Sequence, residues 1–158
     1  TFSKFAASAG AAISSYSRGL IDLLEVSPTS IGTISLPPPT TAAALESIRQ
    51  VRHNPQLVET LQANTRYLRS RLSDQGFNAI GETNVIPVLL PPEFNPKDFA
   101  RHLMEEYDIW VSPIWFIAKP RLRVTANALH TKEDMDQLVK AMAATREALY
   151  KSLDRVTA

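Results

Sequence analysis

The sequence predicts a mixed α/β chain that ends in a compact α+β unit, and three observations carry that prediction. From Asn84 to the end, apolar patterning and turn residues give the order strand, helix, strand, strand, helix, enough to bury one face of a small sheet under two helices. Immediately upstream, Asn54-Pro55 and Gly76 bracket one long helix with its own start and stop signals. Before that, short helical stretches, small-residue runs and a proline-rich segment alternate with few apolar anchors. The chain thus divides into residues 1–53, a bridging helical segment 54–83 and a small α+β domain 84–158.

The chain opens with Thr1-Phe2-Ser3-Lys4 and continues through Phe5-Ala6-Ala7-Ser8-Ala9-Gly10-Ala11-Ala12-Ile13. A single lysine stands here among small, uncharged residues with no acidic neighbour. A lysine desolvated by apolar walls loses proton affinity and becomes an amine nucleophile, the state needed to hold an aldehyde as a Schiff base. By residue type alone, an exposed, solvated lysine is the ordinary alternative. Ala11 to Tyr16 reads as a short buried strand, and Ser17 caps a short helix carrying Leu20, Ile21, Leu23 and Leu24 that ends by Pro28. The triple proline Pro37-Pro38-Pro39 predicts an extended approach to a helix over Thr40–Arg52, with Ala42, Leu45, Ile48 and Val51 on its buried side.

On the long helix, Leu57, Leu61, Leu68 and Leu72 share one stripe, while Arg66, Arg69 and Arg71 lie mainly off it and read as a solvated face. Asn84–Leu90 is a strand stopped by Pro91-Pro92. Asn95-Pro96 supplies an N-cap and first helical residue for a helix with Phe99, Leu103 and Tyr107 inward. Strands follow over Ile109–Trp115 and Arg121–Ala126, with Trp110 and Trp115 as core or wall residues. Thr131-x-x-Asp134 is a capping box with Asp for Glu, opening a last helix that turns Met135, Leu138, Val139, Met142 and Leu149 inward.

Charge and composition narrow the chemistry. The balance of 17 basic against 16 acidic residues leaves no polyanion footprint, so neither nucleic acid nor an anionic membrane surface is implied as a partner. Cysteine is absent, which excludes disulfides and thiolate metal sites and fits a reducing compartment. No apolar run approaches the ~20 residues that span a bilayer. His53 and His102 sit in helical contexts without metal-ligand spacing, so no metal site is read. Arg121 and Arg123 lie two apart on a strand, hence on one face, with Leu122 and Val124 on the other. A guanidinium fork suits bidentate binding of a carboxylate, against a plain solvated face as the alternative.

Thr1-Phe2-Ser3-Lys4, Ser35-Leu36-Pro37-Pro38 and Arg121-Leu122-Arg123-Val124-Thr125-Ala126-Asn127-Ala128-Leu129-His130-Thr131 fall in the order and roughly the spacing of the α-oxoamine synthases. The resemblance covers nearly the whole chain. It implies a pyridoxal-phosphate enzyme of aminotransferase fold type I, a homodimer that condenses an amino acid with an acyl-CoA, in the cytoplasm or alternatively the mitochondrion. It also implies that the chain starts at the cofactor lysine, with residues 1–53 the end of the large cofactor-binding domain, 84–158 the small C-terminal domain, and the N-terminal half or more absent. Carried over residue by residue, Lys4 is the Schiff-base lysine and proton shuttle, Thr1 a hydroxyl donor to the cofactor phosphate, Thr33 and Ser35 part of a segment reaching the neighbouring subunit's phosphate, and Arg123 the carboxylate anchor. Arg121 is implied as a supporting residue or surface ion pair, and His130 as a hydrogen-bonded structural residue.

Three departures from the pattern stand out: Ile34 replaces a usual Thr, the loop between Ile114 and Arg121 is short, and the residues that in the family stack on the pyridine ring, pair with its nitrogen and line the phosphate in a Gly-rich segment belong upstream of Lys4, so the resemblance implies a chain that is incomplete as an enzyme by itself. The run Ser8-Ala9-Gly10-Ala11-Ala12 is nearest to that of the 8-amino-7-oxononanoate synthases, with 5-aminolevulinate synthases fitting nearly as well. A fold type I aminotransferase proper and a non-catalytic, truncated α+β module stay open beside this reading.

Overall fold

In the computed structural model, residues 1–28, 30, 36–116 and 119–157 are described, with side chains through Leu153. The chain forms two compact units, Thr1–Pro55 and Gln56–Ala158.

The second unit is built on a four-stranded antiparallel sheet. Helix α4 (Gln56–Asp74) leads into β1 (Asn78–Ala79) and β2 (Val85–Leu89); α5 (Pro96–Tyr107), β3 (Ser112–Ile114), β4 (Arg121–Thr125) and α6 (Lys132–Thr157) follow, and the strand order is β1-β2-β4-β3. The helix that leads in stops at a left-handed Gly76, φ +74°. There the Gly76 N–H donates to Ser73 O at 2.8 Å and the Phe77 N–H to Leu72 O at 3.0 Å. This pair of bonds closes the last turn as a Schellman motif and sends Phe77 into the core. The Asn95 side chain accepts from the Lys97 N–H, with Pro96 at the first helical position, so α5 starts as predicted. At α6 the box is reciprocal: the Asp134 N–H donates to Thr131 Oγ1 and the Thr131 N–H to Asp134 Oδ2.

Alternation on the strands sorts the faces. Ile86 and Val88 of β2, with Leu122 and Val124 of β4, are buried together with Leu68, Leu72, Phe99, Leu103, Met135, Val139 and Met142 from the three helices. That single apolar cluster holds the unit together. Directly paired residues share a face, so the register sets Val85, Pro87 and Leu89 with Thr125, Arg123 and Arg121, and Ser112 and Ile114 with the last two, all on the opposite side. The expected strand Ile109–Trp115 is shorter than predicted. Trp110 precedes it and is 70% exposed, so it is no core residue. Nor are the arginines of α4 a uniform solvated face. Arg69 donates to Thr83 O, and Arg71 Nε donates to Asp136 Oδ1 at 2.8 Å beside the Tyr67 hydroxyl, tying α4 to α6.

The first unit holds α1 (Phe2–Phe5), α2 (Arg18–Glu25) and α3 (Pro38–His53). Ser17 caps α2 as expected, its hydroxyl accepting from the Leu20 N–H. Two expectations are corrected. Ala11 to Tyr16 forms no strand and is exposed, because a strand needs a neighbour for its backbone groups and none of the described residues of this unit offers one. The helix predicted over Thr40–Arg52 begins at Pro38 and runs to His53, since Pro38 and Pro39 fit its first turn, where no intrahelical N–H bond is lost. Its buried residue is Ala44, whereas Ala42, Leu45 and Ile48 are exposed. Asn54 closes this helix, with its N–H and its side-chain amide both donating to Gln50 O.

Candidate active site

Lys4 sits on α1, a single turn whose first cap is Thr1. The Ser3 N–H donates to Thr1 Oγ1 at 3.4 Å, and that hydroxyl donates to Gly10 O at 3.3 Å, where the Phe2 N–H also donates at 2.8 Å. Residues 1–10 therefore fold back on themselves, with the lysine at the outer end of the turn. Its side chain is exposed and makes no ion pair with any described residue, so no apolar wall of this unit desolvates it. The Thr1 hydroxyl is engaged within its own loop. Thr33 and Ser35, together with Ile34, lie outside the described residues. The neighbouring Leu36 is described, and its side chain packs over Gly10.

Arg123 stands in the second unit, in the middle of β4, paired with Pro87 on one side and Ser112 on the other. Its side chain is exposed. Arg121 is half-buried between Leu89 and Ile114, and its Nε is buried without a hydrogen-bond partner among the described residues. Neither arginine is paired with an acid among the described residues, so the ion pair expected for Arg121 is not formed there. Two uncompensated guanidinium groups on one sheet face, framed by apolar neighbours, favour an incoming anion. Next to Arg123 opens a cleft of about 540 Å³, also lined by Tyr107, Trp110, Ser112, His130 and Asp134.

His130 lies at the rim of this cleft. Its ring is exposed, while its backbone is held: the N–H donates to Asn127 O, and the carbonyl accepts from Asn64 Nδ2 at 2.8 Å. The turn before α6 is thereby fixed to α4 through the backbone of His130. Hydrogen bonds from Thr131, backbone first and hydroxyl second, hold the Asp134 carboxyl below the usual carboxylate range, with His130 adding to the effect. His102 Nδ1 lies 3.2 Å from the hydroxyl of the buried Thr145, and among the described residues no cluster of His, Asp or Glu could hold a metal ion. No helix of the described residues is long and apolar enough to cross a membrane.

Of the predicted site residues, Thr1 and Lys4 share one loop and Arg123 shares a sheet face with Arg121; the lysine and the arginines belong to different units. Sequence reasoning missed Gly10. Its small-residue context was visible, but a positive φ is not written in a run of Ala, Ser and Gly.

Comparison with known proteins places these features. Residues 1–142 match the model of the family described as aminotransferase class I and II. An 8-amino-7-oxononanoate synthase from Petrotoga mobilis is 38% identical over 107 residues, 65% of this chain and 27% of that protein. A mitochondrial 5-aminolevulinate synthase from Debaryomyces hansenii is 31% identical over 153 residues, 91% of this chain and 26% of that protein. The chain thus spans about a quarter to a third of the length of the curated relatives it matches. Among solved structures, a serine palmitoyltransferase from Sphingomonas wittichii superimposes with a TM-score of 0.73 at 24% identity, over 84% of this chain and 35% of that one. At that identity the likeness is one of fold, and the fold is that of fold type I, as the sequence predicted. With the family model matched over all but the last turns of α6, the chain belongs to the aminotransferase class I and II family.

Proposed function

We propose that the chain is the C-terminal part of a pyridoxal-phosphate-dependent α-oxoamine synthase, which as a dimer condenses an amino acid with an acyl-CoA. The observation that carries this reading is the pair of arginines on one sheet face that no acid neutralises among the described residues, in a family whose substrates carry an α-carboxylate, together with a lysine in the other unit that makes no ion pair among them. Relatives named 8-amino-7-oxononanoate synthase, 5-aminolevulinate synthase and serine palmitoyltransferase support the reaction class.

The residues fit the cofactor in the parts this chain supplies. Lys4 presents an exposed primary amine that no acid engages among the described residues, available to attach an aldehyde covalently. Pyridoxal phosphate, when bound, supplies that aldehyde and a ring able to accept the electron pair released at the substrate's Cα. Arg123 binds the α-carboxylate with its two-donor fork and so fixes which Cα bond stands in line for cleavage. The Lys4 amine would also serve as the base that takes the Cα proton and later returns it. Tyr107, Trp110 and Ser112 line the cleft next to Arg123, where the carboxylate would sit.

Arg123→Gln in the holoenzyme should raise the amino-acid KM by tenfold or more while leaving cofactor attachment intact, since a lost charge-assisted pair is worth about 1.5–3 kcal/mol. An Arg123→Gln enzyme that keeps its cofactor and an unchanged amino-acid KM would contradict the assignment. Dependence on an acyl-CoA rather than on a 2-oxo acid separates a synthase from an aminotransferase proper.

A further inference from the structure

We propose that Gly10, Leu36 and Ser8 form a clamp that positions Lys4, docking the lysine loop onto the Leu36-Pro37-Pro38 segment. The inference rests on the Lys4 reading and concerns what sets the reach of that amine. Gly10 adopts φ +98°, a backbone conformation open to glycine and strained for other residues. A Cβ at this position would lie 2.5 Å from Leu36 Cδ1 and 2.6 Å from Cδ2, well inside van der Waals contact. Leu36 is thus seated on the bare face of the glycine. The carbonyl of the same residue takes the N–H of Phe2 at 2.8 Å and the hydroxyl of Thr1 at 3.3 Å, so the residue under Leu36 is also the one that closes the turn around Lys4.

A second contact prevents the loop from pivoting on the first. Ser8 Oγ donates to Thr40 O at 2.8 Å, in the first turn of α3. Leu36 and Thr40 flank Pro37, Pro38 and Pro39, whose fixed φ values make the receiving segment stiff. The lysine loop is therefore held at two points against a rigid support, while the Lys4 side chain stays free. A lysine has a flexible four-carbon stem, so the placement of its backbone decides where the amine can act. Gly10, Leu36 and Ser8 are positioning residues on this account, and none of them touches the reacting atoms.

The test uses the whole chain and two readouts. Leu36→Ala removes the contact without backbone strain, Ser8→Ala removes the hydrogen bond, and Gly10→Ala forces both strain and clash. Amide hydrogen exchange at Phe2, Ala6 and Ser8 should quicken severalfold in Leu36→Ala, since Leu36 is itself exposed and gives up its contact with Gly10. Pyridoxal phosphate followed by borohydride should label Lys4 less selectively over other lysines in all three variants, with Gly10→Ala the most affected. A Leu36→Ala chain with unchanged exchange would overturn the clamp as a structural contact. Faster exchange with undiminished Lys4 selectivity would overturn its positioning role. Absence of Lys4 labelling in the unsubstituted chain would instead overturn the Lys4 reading, whatever the exchange shows.

Discussion

The two units differ most in what they bury. In the second, strands and helices converge on one core in which Phe99, Leu103, Ile86, Val88, Leu122 and Met142 are fully enclosed. Among the described residues of the first, the buried apolar ones are Ala6 and Ala44, while Ile13, Tyr16, Leu23, Val26, Leu45 and Ile48 stay exposed. The difference teaches how the labour is divided. The second unit has a core of its own and presents two arginines on the free side of its sheet; the first carries Lys4 and is held by hydrogen bonds, prolines and a glycine–leucine contact, with much of its apolar surface exposed.

The largest expected effect breaks this comparison at the core. Phe99→Ala should cost the second unit about 3–5 kcal/mol, whereas Leu45→Ala in the first should stay within about 0.5 kcal/mol, as read from urea midpoints of the two variants. Equal losses would mean the units are not energetically distinct. Next comes the link between α4 and α6. The Arg71 hydrogen bond, and after it that of Tyr67, holds the Asp136 carboxyl below the usual carboxylate range. A depressed folded pKa contributes stability that is complete above the unfolded value, about 3.9, and is lost as pH falls through the folded one. Asp136→Asn should therefore destabilise at neutral pH and show a smaller further loss on acidification than the unsubstituted chain; a parallel pH profile for the two proteins would contradict this. A smaller effect is expected at Gly76, where Ala in the left-handed region should cost about 1–2 kcal/mol by denaturant melting while the fold is kept.

What the sequence disclosed follows the same division. Caps and stops of the second unit are local chemistry: Asn95 before Pro96, Thr131 with Asp134, and Gly76 after Asp74 could each be read in a window of a few residues. So could the two faces of β4, because Arg121, Leu122, Arg123 and Val124 alternate with the pleat. The partnership of Arg71 with Asp136 could not, since the two are 65 residues apart and either alone looks like a solvated charge. In the first unit, apolar periodicity pointed to a buried side on α3 and a strand at Ala11 to Tyr16. Burial, however, depends on what lies opposite, and periodicity does not supply the opposite surface. The short β1 pair was missed because two residues carry no period.

The assignment of Lys4 as the amine that holds the cofactor is a proposal about one side chain. Its most direct test is to incubate the chain with pyridoxal phosphate, reduce with borohydride, and locate the adduct by peptide mass spectrometry, with Lys4→Ala as the control. One dominant adduct on Lys4, absent from the variant, is the expected result. Adducts scattered over Lys97, Lys119, Lys132 and Lys140, with Lys4 no more modified than these, would contradict it.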